Sequence, residues 1–242
     1  MEKLSVVIPA YNEERYIEEI ITRVKKVNLK FLNLQKEIVV VDDGSTDKTA
    51  SIASKIKGVK LIRHIKNSGK GAAIRTGLKH ATGSIILIQD ADLEYNPNEM
   101  PKVVRPIVER KADVVYGSRY LDPNQKARNK TYLKKVHKNA YQLFYMGGRG
   151  LTLIANFLYN AKITDEATCY KAFRAKIIKS LNLRCTRFEF CPEVTAKVAK
   201  RGIKIMEVPI SYTPRSFEEG KKIKMRDGIE AFWTLLKYRF FD

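Results

Sequence analysis

The chain has 242 residues, 44% of them hydrophobic, enough for a sizeable core in one large domain, the expected arrangement, or for two small ones. Lys and Arg total 46 against 26 Asp and Glu, a formal charge of +20 that exceeds what solubility needs and predicts an anionic partner: nucleic acid, an anionic membrane or a phosphorylated substrate. Cys169, Cys185 and Cys191 are odd in number and lack C-x-x-C spacing, and the chain has only three His, so a disulfide framework and a zinc site are both disfavoured and free thiols in a reducing compartment are expected.

The N-terminus runs straight into a strand, which predicts no cleaved signal, and no run of eighteen apolar residues predicts a membrane span. Apolar runs of strand length occur at 4–10 (LSVVIPA), 37–43 (EIVVVDD), 59–64 (VKLIRH), 84–90 (SIILIQD) and 112–118 (ADVVYGS), rich in Val and Ile and mostly without alternation, as strands buried on both faces should be. Ile17, Ile20, Ile21, Val24 and Val27 recur at helical spacing, with Asn12 placed as an N-cap before Glu13 and Glu14. Ser45 is placed to cap a second helix carrying Ala50, Ile52, Ala53 and Ile56, and 70–81 predicts a third, ended by Gly83. The β-α-β-α-β-α-β order predicts an open, mostly parallel α/β sheet with right-handed crossovers, in which ligands bind beyond the carboxyl ends of the strands.

Between Pro123 and Thr164 there is no acidic residue but eight Lys and Arg, and this segment is expected to be mostly helical, interrupted near Gly147, Gly148 and Gly150. Further on, Cys191 is placed to cap a helix with Pro192 at its first position and Gly202 past its end. A strand at 204–212, a loop and a final amphipathic helix complete one domain over 1–242.

The strand exits carry the chemistry. Asp90-Ala91-Asp92, followed by Glu94, is suited to a hard divalent cation bridging the phosphates of a nucleotide-sugar; a D-x-D alone is more often a solvated turn, but here VVIPAYNEE and VVDDGSTDKT end the neighbouring strands. Gly69, Gly71 and Gly77 match neither a dinucleotide fingerprint nor a P-loop, and a structural helix start is as good a reading. Glu189 and Glu193 are better read as helix-start electrostatics than as bases.

In order, VVIPAYNEE, VVDDGSTDKT, NSGKGAAIRTGL, QDADLEYNP, VVYGSRY, DEATCYKAFR and VPISYTPRSFEEGKKIKMRDG span nearly the whole chain, and the sequence resembles the inverting family 2 glycosyltransferases of GT-A fold, specifically the dolichol-phosphate mannose synthase and polyprenyl-phosphate glycosyltransferase branch. The resemblance implies nucleotide contacts at Pro9, Tyr11, Glu13, Val41 and Asp43, and a diphosphate and metal segment at Asp90, Ala91 and Asp92 holding Mg²⁺ or Mn²⁺. Glu94 stands where relatives often carry Gln. Arg119 is implied at a donor or acceptor phosphate, and Arg215 and Lys221 at the diphosphate.

The expected reaction is transfer of a hexose, with inversion, to a dolichyl or polyprenyl phosphate. Mannose from GDP-mannose comes first, with glucose from UDP-glucose, or a family 2 transferase acting on a polysaccharide or glycolipid, as alternatives. A phosphate nucleophile with a second pKa of about 6 needs no dedicated base. The 123–164 segment, with Leu151, Ile154, Phe157 and Leu158, is expected to face an anionic membrane or the acceptor, and 213–242 to supply an acceptor loop and helix. A peripheral position on the cytoplasmic membrane face follows as the expectation, with a membrane-protein partner possible. A nucleic-acid-binding module is the rival from another class, disfavoured because the rim carboxylates would repel phosphate.

Overall fold

Seven strands form one sheet in the order β3-β2-β1-β4-β6-β5-β7 in the computed structural model, which describes residues 1–122, 140–215, 222 and 225–241, residues 140–145 by backbone alone. The strands are β1 (Glu2–Ala10), β2 (Leu34–Asp42), β3 (Val59–Arg63), β4 (Ile85–Ile88), β5 (Val114–Ser118), β6 (Lys171–Arg174) and β7 (Ile205–Pro209). All pair in parallel except β6, which runs antiparallel between β4 and β5. The helices are α1 (Ile17–Lys26), α2 (Thr49–Ser54), α3 (Lys70–His80), α4 (Met100–Val108), α5 (Ala140–Tyr159), α6 (Ala175–Ser180), α7 (Phe190–Lys200) and α8 (Met225–Phe240). This is the mostly parallel, helix-flanked sheet of a GT-A fold.

The unalternating runs have the cause expected of them, because successive strand residues enter two separate cores. Leu4, Val6 and Ile8 pack with α1 and α4 on one face, while Val7, Val39, Val41, Ile86 and Ile88 pack with α3, α7 and α8 on the other. Each such side chain, fully buried, contributes roughly 1.5–3 kcal/mol. Gly77 lets α3 lie directly on β1, since a Cβ there would stand 2.3 Å from Val7 Cγ1.

Pro9 is tolerated in a central strand because β1 outlasts its neighbour: the β1–β4 ladder stops at Val7 and Ile88, and only β2 continues beside Pro9.

Several local expectations are corrected. Asn12 does not cap α1; it takes φ 50° and accepts a hydrogen bond from the Thr46 backbone N–H, so it ties the first rim loop to the second. Ser45 does not cap α2, because its hydroxyl accepts the Asn12 N–H while Asp47 accepts that of Thr49. Cys191 lies inside α7, which begins one residue earlier. Helix α5 runs unbroken through Gly147, Gly148 and Gly150, the cost of about 1 kcal/mol per glycine being offset by packing of the helix against α8.

Candidate active site

Because β6 is reversed, its first residue, rather than its last, lies at the rim where β1, β2, β4 and β5 end. The segment before β6 therefore joins the loops after those four strands. The hydrogen bond from Gly117 N–H to Tyr170 O (2.8 Å) seals this meeting.

Four carboxylates converge there on cations. Arg215, from the segment after β7, places Nη2 3.1 Å from Asp92 Oδ2 and Nη1 3.2 Å from Glu13 Oε2, with Nε 3.8 Å from Glu94 Oε1. Lys70, at the start of α3, stands 2.7 Å from Asp90 Oδ1. Lys222 pairs with Glu13 Oε1 at 2.6 Å and also donates to Tyr11 O. Negative charge is still in excess around Asp92: burial pushes its carboxyl well above the usual range, Glu94 and Asp90 add to the shift, and Arg215 and Lys70 only partly oppose it.

Those residues suit a hard divalent cation through the chemistry of the donor set. Among the described residues no three carboxylates are already arranged as a metal cage. Mg²⁺, however, is commonly held by one or two carboxylates together with substrate phosphates, and a pair such as Asp90 and Asp92 meets that need. Glu94 is engaged otherwise: its carboxylate accepts from Arg215 N–H and from Tyr212 Oη, each at 2.8 Å, so it anchors the late segment to the rim.

The remaining predicted residues are placed as follows. Arg119, just past β5, forms a two-pronged pair with Asp165, at 2.7 Å and 2.6 Å, and its guanidinium carbon stands 5.0 Å from the centre of the Tyr212 ring. Burial opposes the Arg119 charge, but Asp165 outweighs it and raises the guanidinium pKa. Asp43 accepts from Ser68 N–H, Gly69 N–H and the His64 ring, so the loop after β2 is bolted to the start of α3. Pro9 and Val41 are paired across β1 and β2, and Val41 is core. Ala91 is buried and Tyr11 half-buried. Lys221 lies outside the described residues.

Sequence reasoning passed over Lys70, Asp165, Tyr212 and Lys222. Asp42, the last residue of β2, is not among the residues the motifs single out. It is fully buried, neither carboxylate oxygen has a hydrogen-bond partner, and Arg63 Nε stands 3.7 Å from one of them. That is unspent acceptor capacity beside Ala10, its register partner on β1.

The glycines at the start of α3 are structural. Gly69 has φ 95°, and a Cβ there would lie 2.3 Å from Thr186 O. Glu189 and Glu193 likewise serve the backbone, Glu189 accepting from Thr186 and Arg187 N–H and Glu193 from Arg184 and Cys185 N–H.

The apolar surface differs from expectation. Leu151, Ile154 and Leu158 pack against the core, whereas Met146, Leu153 and Phe157 of α5 are exposed, Phe157 by 88%. Helix α8, joined to α5 by Tyr159 Oη donating to Leu235 O, adds exposed Ile229, Phe232, Trp233 and Phe240. Among the described residues no helix is long and apolar enough to cross a membrane.

Comparison with known proteins agrees with this architecture. Residues 5–181 match Glycosyl transferase family 2. The chain is 31% identical to the UDP-N-acetylglucosamine–dolichyl-phosphate N-acetylglucosaminyltransferase of Methanococcus voltae, over 96% of this chain and 94% of that one. It is 32% identical to the dolichol-phosphate mannosyltransferase of Pyrococcus furiosus, over 90% of this chain and 59% of that one. Glucosyl-3-phosphoglycerate synthase from Mycobacterium tuberculosis, solved with Mn²⁺, UDP and phosphoglyceric acid, shares the fold with a TM-score of 0.71 at 20% identity, over 98% of this chain and 78% of that one. The protein is an enzyme, a nucleotide-sugar-dependent glycosyltransferase of GT-A type, and it belongs to glycosyl transferase family 2.

Proposed function

We propose that the enzyme transfers a sugar, with inversion, from a UDP-sugar to a polyprenyl or dolichyl phosphate at a membrane surface. The observation that carries the reading is the convergence of Glu13, Asp90, Asp92 and Glu94 with Arg215 and Lys70 at the strand ends. A site with acids and bases interleaved in this way can receive a diphosphate and its counter-cation together. A divalent cation, when bound, supplies Lewis-acid neutralisation of the leaving diphosphate. Asp90 and Asp92 would hold that cation, a reading supported by the Mn²⁺ bound in glucosyl-3-phosphoglycerate synthase structures that share the fold.

Arg215 lies close enough to the same carboxylates to meet phosphate oxygens and stabilise the charge that develops on the departing diphosphate. Arg119, held rigid by Asp165, offers a fixed positive charge for the acceptor phosphate. That phosphate is its own nucleophile, so no side chain need remove a proton.

UDP ranks before GDP as donor. The Methanococcus relative, matched over nearly its whole length, is named for a UDP-sugar, whereas the relative named for mannose transfer is matched over 59% of its length. The earlier expectation of GDP-mannose therefore gives way to its UDP-sugar alternative. The exposed apolar faces of α5 and α8, on a chain of charge +20, support delivery of the lipid at an anionic bilayer.

The test is transfer of label from a panel of UDP- and GDP-sugars, with Mn²⁺ or Mg²⁺, into an organic-soluble polyprenyl-phosphate product. Label entering from a UDP-sugar supports the reading; label entering from GDP-mannose alone, or only into a water-soluble acceptor, refutes it.

A further inference from the structure

Lys70 Nζ has a second partner besides Asp90: the sulfur of Cys169, at 3.1 Å. Cys169 Sγ in turn lies 3.7 Å from Cys191 Sγ, which is close to van der Waals contact, and the Cys191 thiol also reaches Thr168 O at 3.3 Å. Nothing in phosphate-directed sugar transfer uses sulfur, so the two thiols beside the site call for a different role.

The two are chemically unequal. Cys169 is partly exposed, while Cys191 is 6% exposed. The contact with Cys191, together with the Lys70 ammonium, holds Cys169 below the usual thiol range against burial and Asp90, whereas the contact with Cys169 and burial hold Cys191 well above it. This is the asymmetry of an attacking sulfur and a resolving one. Cys185 has no such partner pair: it is 2% exposed and burial pushes its thiol up.

We propose that Cys169 and Cys191 form a reversible dithiol–disulfide pair, and that oxidation removes the sulfur partner of Lys70 and leaves its ammonium committed to Asp90. With a small dialkyl disulfide as oxidant, the Cys169 thiolate attacks one sulfur and displaces one thiolate, giving a mixed disulfide. Cys191 then loses its proton and attacks Cys169 Sγ, releasing the second thiolate. The protein gives up two electrons and the oxidant becomes two thiols. Closing 3.7 Å to a bonded length of about 2.05 Å requires side-chain rotation and a small approach of the two segments.

The consequence for the site rests on the proposed function. Lys70 tied to Asp90 competes with a divalent cation for that carboxylate, so a Lys70 ammonium with Asp90 as its one remaining partner lowers metal affinity.

The experiment treats the full chain with oxidised glutathione and maps peptides under non-reducing conditions, then measures Mn²⁺ affinity in the oxidised and reduced protein. A Cys169–Cys191 linkage is expected in the wild type and in Cys185→Ser, with Cys191→Ser stopping at a glutathione adduct on Cys169. Oxidation should weaken Mn²⁺ binding, with dithiothreitol restoring it. A wild-type map that shows Cys191 still a thiol, or linked to Cys185, overturns the pair. Equal Mn²⁺ affinities in the two forms overturn its link to Asp90. Failure of the reduced protein to bind Mn²⁺ counts against the proposed function, and the peptide map still decides the cysteine pair by itself.

Discussion

Arg215 Nη2 stands 3.1 Å from Asp92 Oδ2, a contact between residues 123 positions apart that fastens the segment after β7 to the end of β4. The same guanidinium reaches Glu13 and Glu94, so one side chain offsets the repulsion among three partly buried acids. Arg215→Ala is therefore expected to cost about 3 kcal/mol of stability in metal-free buffer, because it leaves buried carboxylates uncompensated. Arg215→Lys should recover only part of this, since an ammonium cannot bridge as a planar fork does. Urea unfolding measures both, and added Mn²⁺ should restore more stability to the alanine variant than it adds to the wild type.

Asp165 is expected to matter to the fold as much as to the site. It is 1% exposed and takes both prongs of Arg119 as well as the Arg119 backbone N–H. Asp165→Asn should lower stability by about 3–5 kcal/mol, the usual cost of removing one partner from a buried ion pair. Thermal denaturation with an unchanged melting point would show that the pair is not structural.

Glu166 sets a pH dependence whose sign is opposite to that of a salt-bridged acid. Burial raises its carboxyl from 4.5 to about 7, the nearby Lys171 ammonium offsetting this only in part. The folded state therefore binds more protons than the unfolded state between about pH 4.5 and 7, and this group's contribution to stability falls as pH rises through that window. Glu166→Gln should remove a loss of roughly 3 kcal/mol over the interval. Denaturant midpoints at pH 5 and pH 8 should lie closer together in the variant than in the wild type; an identical spacing would contradict the assignment.

Phe157 on α5 and Trp233 on α8 are 88% and 63% exposed, and neither belongs to a core. Replacing both by Asp should reduce flotation with anionic vesicles at least tenfold, since burying one such side chain is worth roughly 2 kcal/mol, while leaving the melting point within about a degree. Unchanged flotation would remove α5 and α8 from the membrane account.

Much of the fold was legible because β1, β2, β4 and β5 carry apolar runs buried along most of their length; β3 (VKLIR), expected to be buried on both faces, is instead a sheet edge of half-buried and exposed residues. Strand β6 was not, because it is four residues long and begins with Lys171, whose charge hides a buried position where Nζ lies 3.4 Å from the centre of the Tyr116 ring. Pro101 and Pro106 similarly mask α4, and α6 is only six residues long. At the site, Asp90, Asp92, Arg119 and Arg215 were visible through motif and resemblance. Lys70 and Asp165 were not, because each acts through a partner distant in sequence that only the reversed strand and the start of α3 bring near. Asn12 misled for the same reason: its partner is Thr46, on another loop.

The most direct measurement is UDP affinity by calorimetry, with and without Mn²⁺, in the wild type and in Asp92→Asn. The account predicts that Mn²⁺ strengthens UDP binding to the wild type at least about tenfold, and that this gain disappears in the variant while its circular dichroism is unchanged. Equal UDP affinity with and without the metal in the wild type, or an undiminished metal gain in Asp92→Asn, would contradict it.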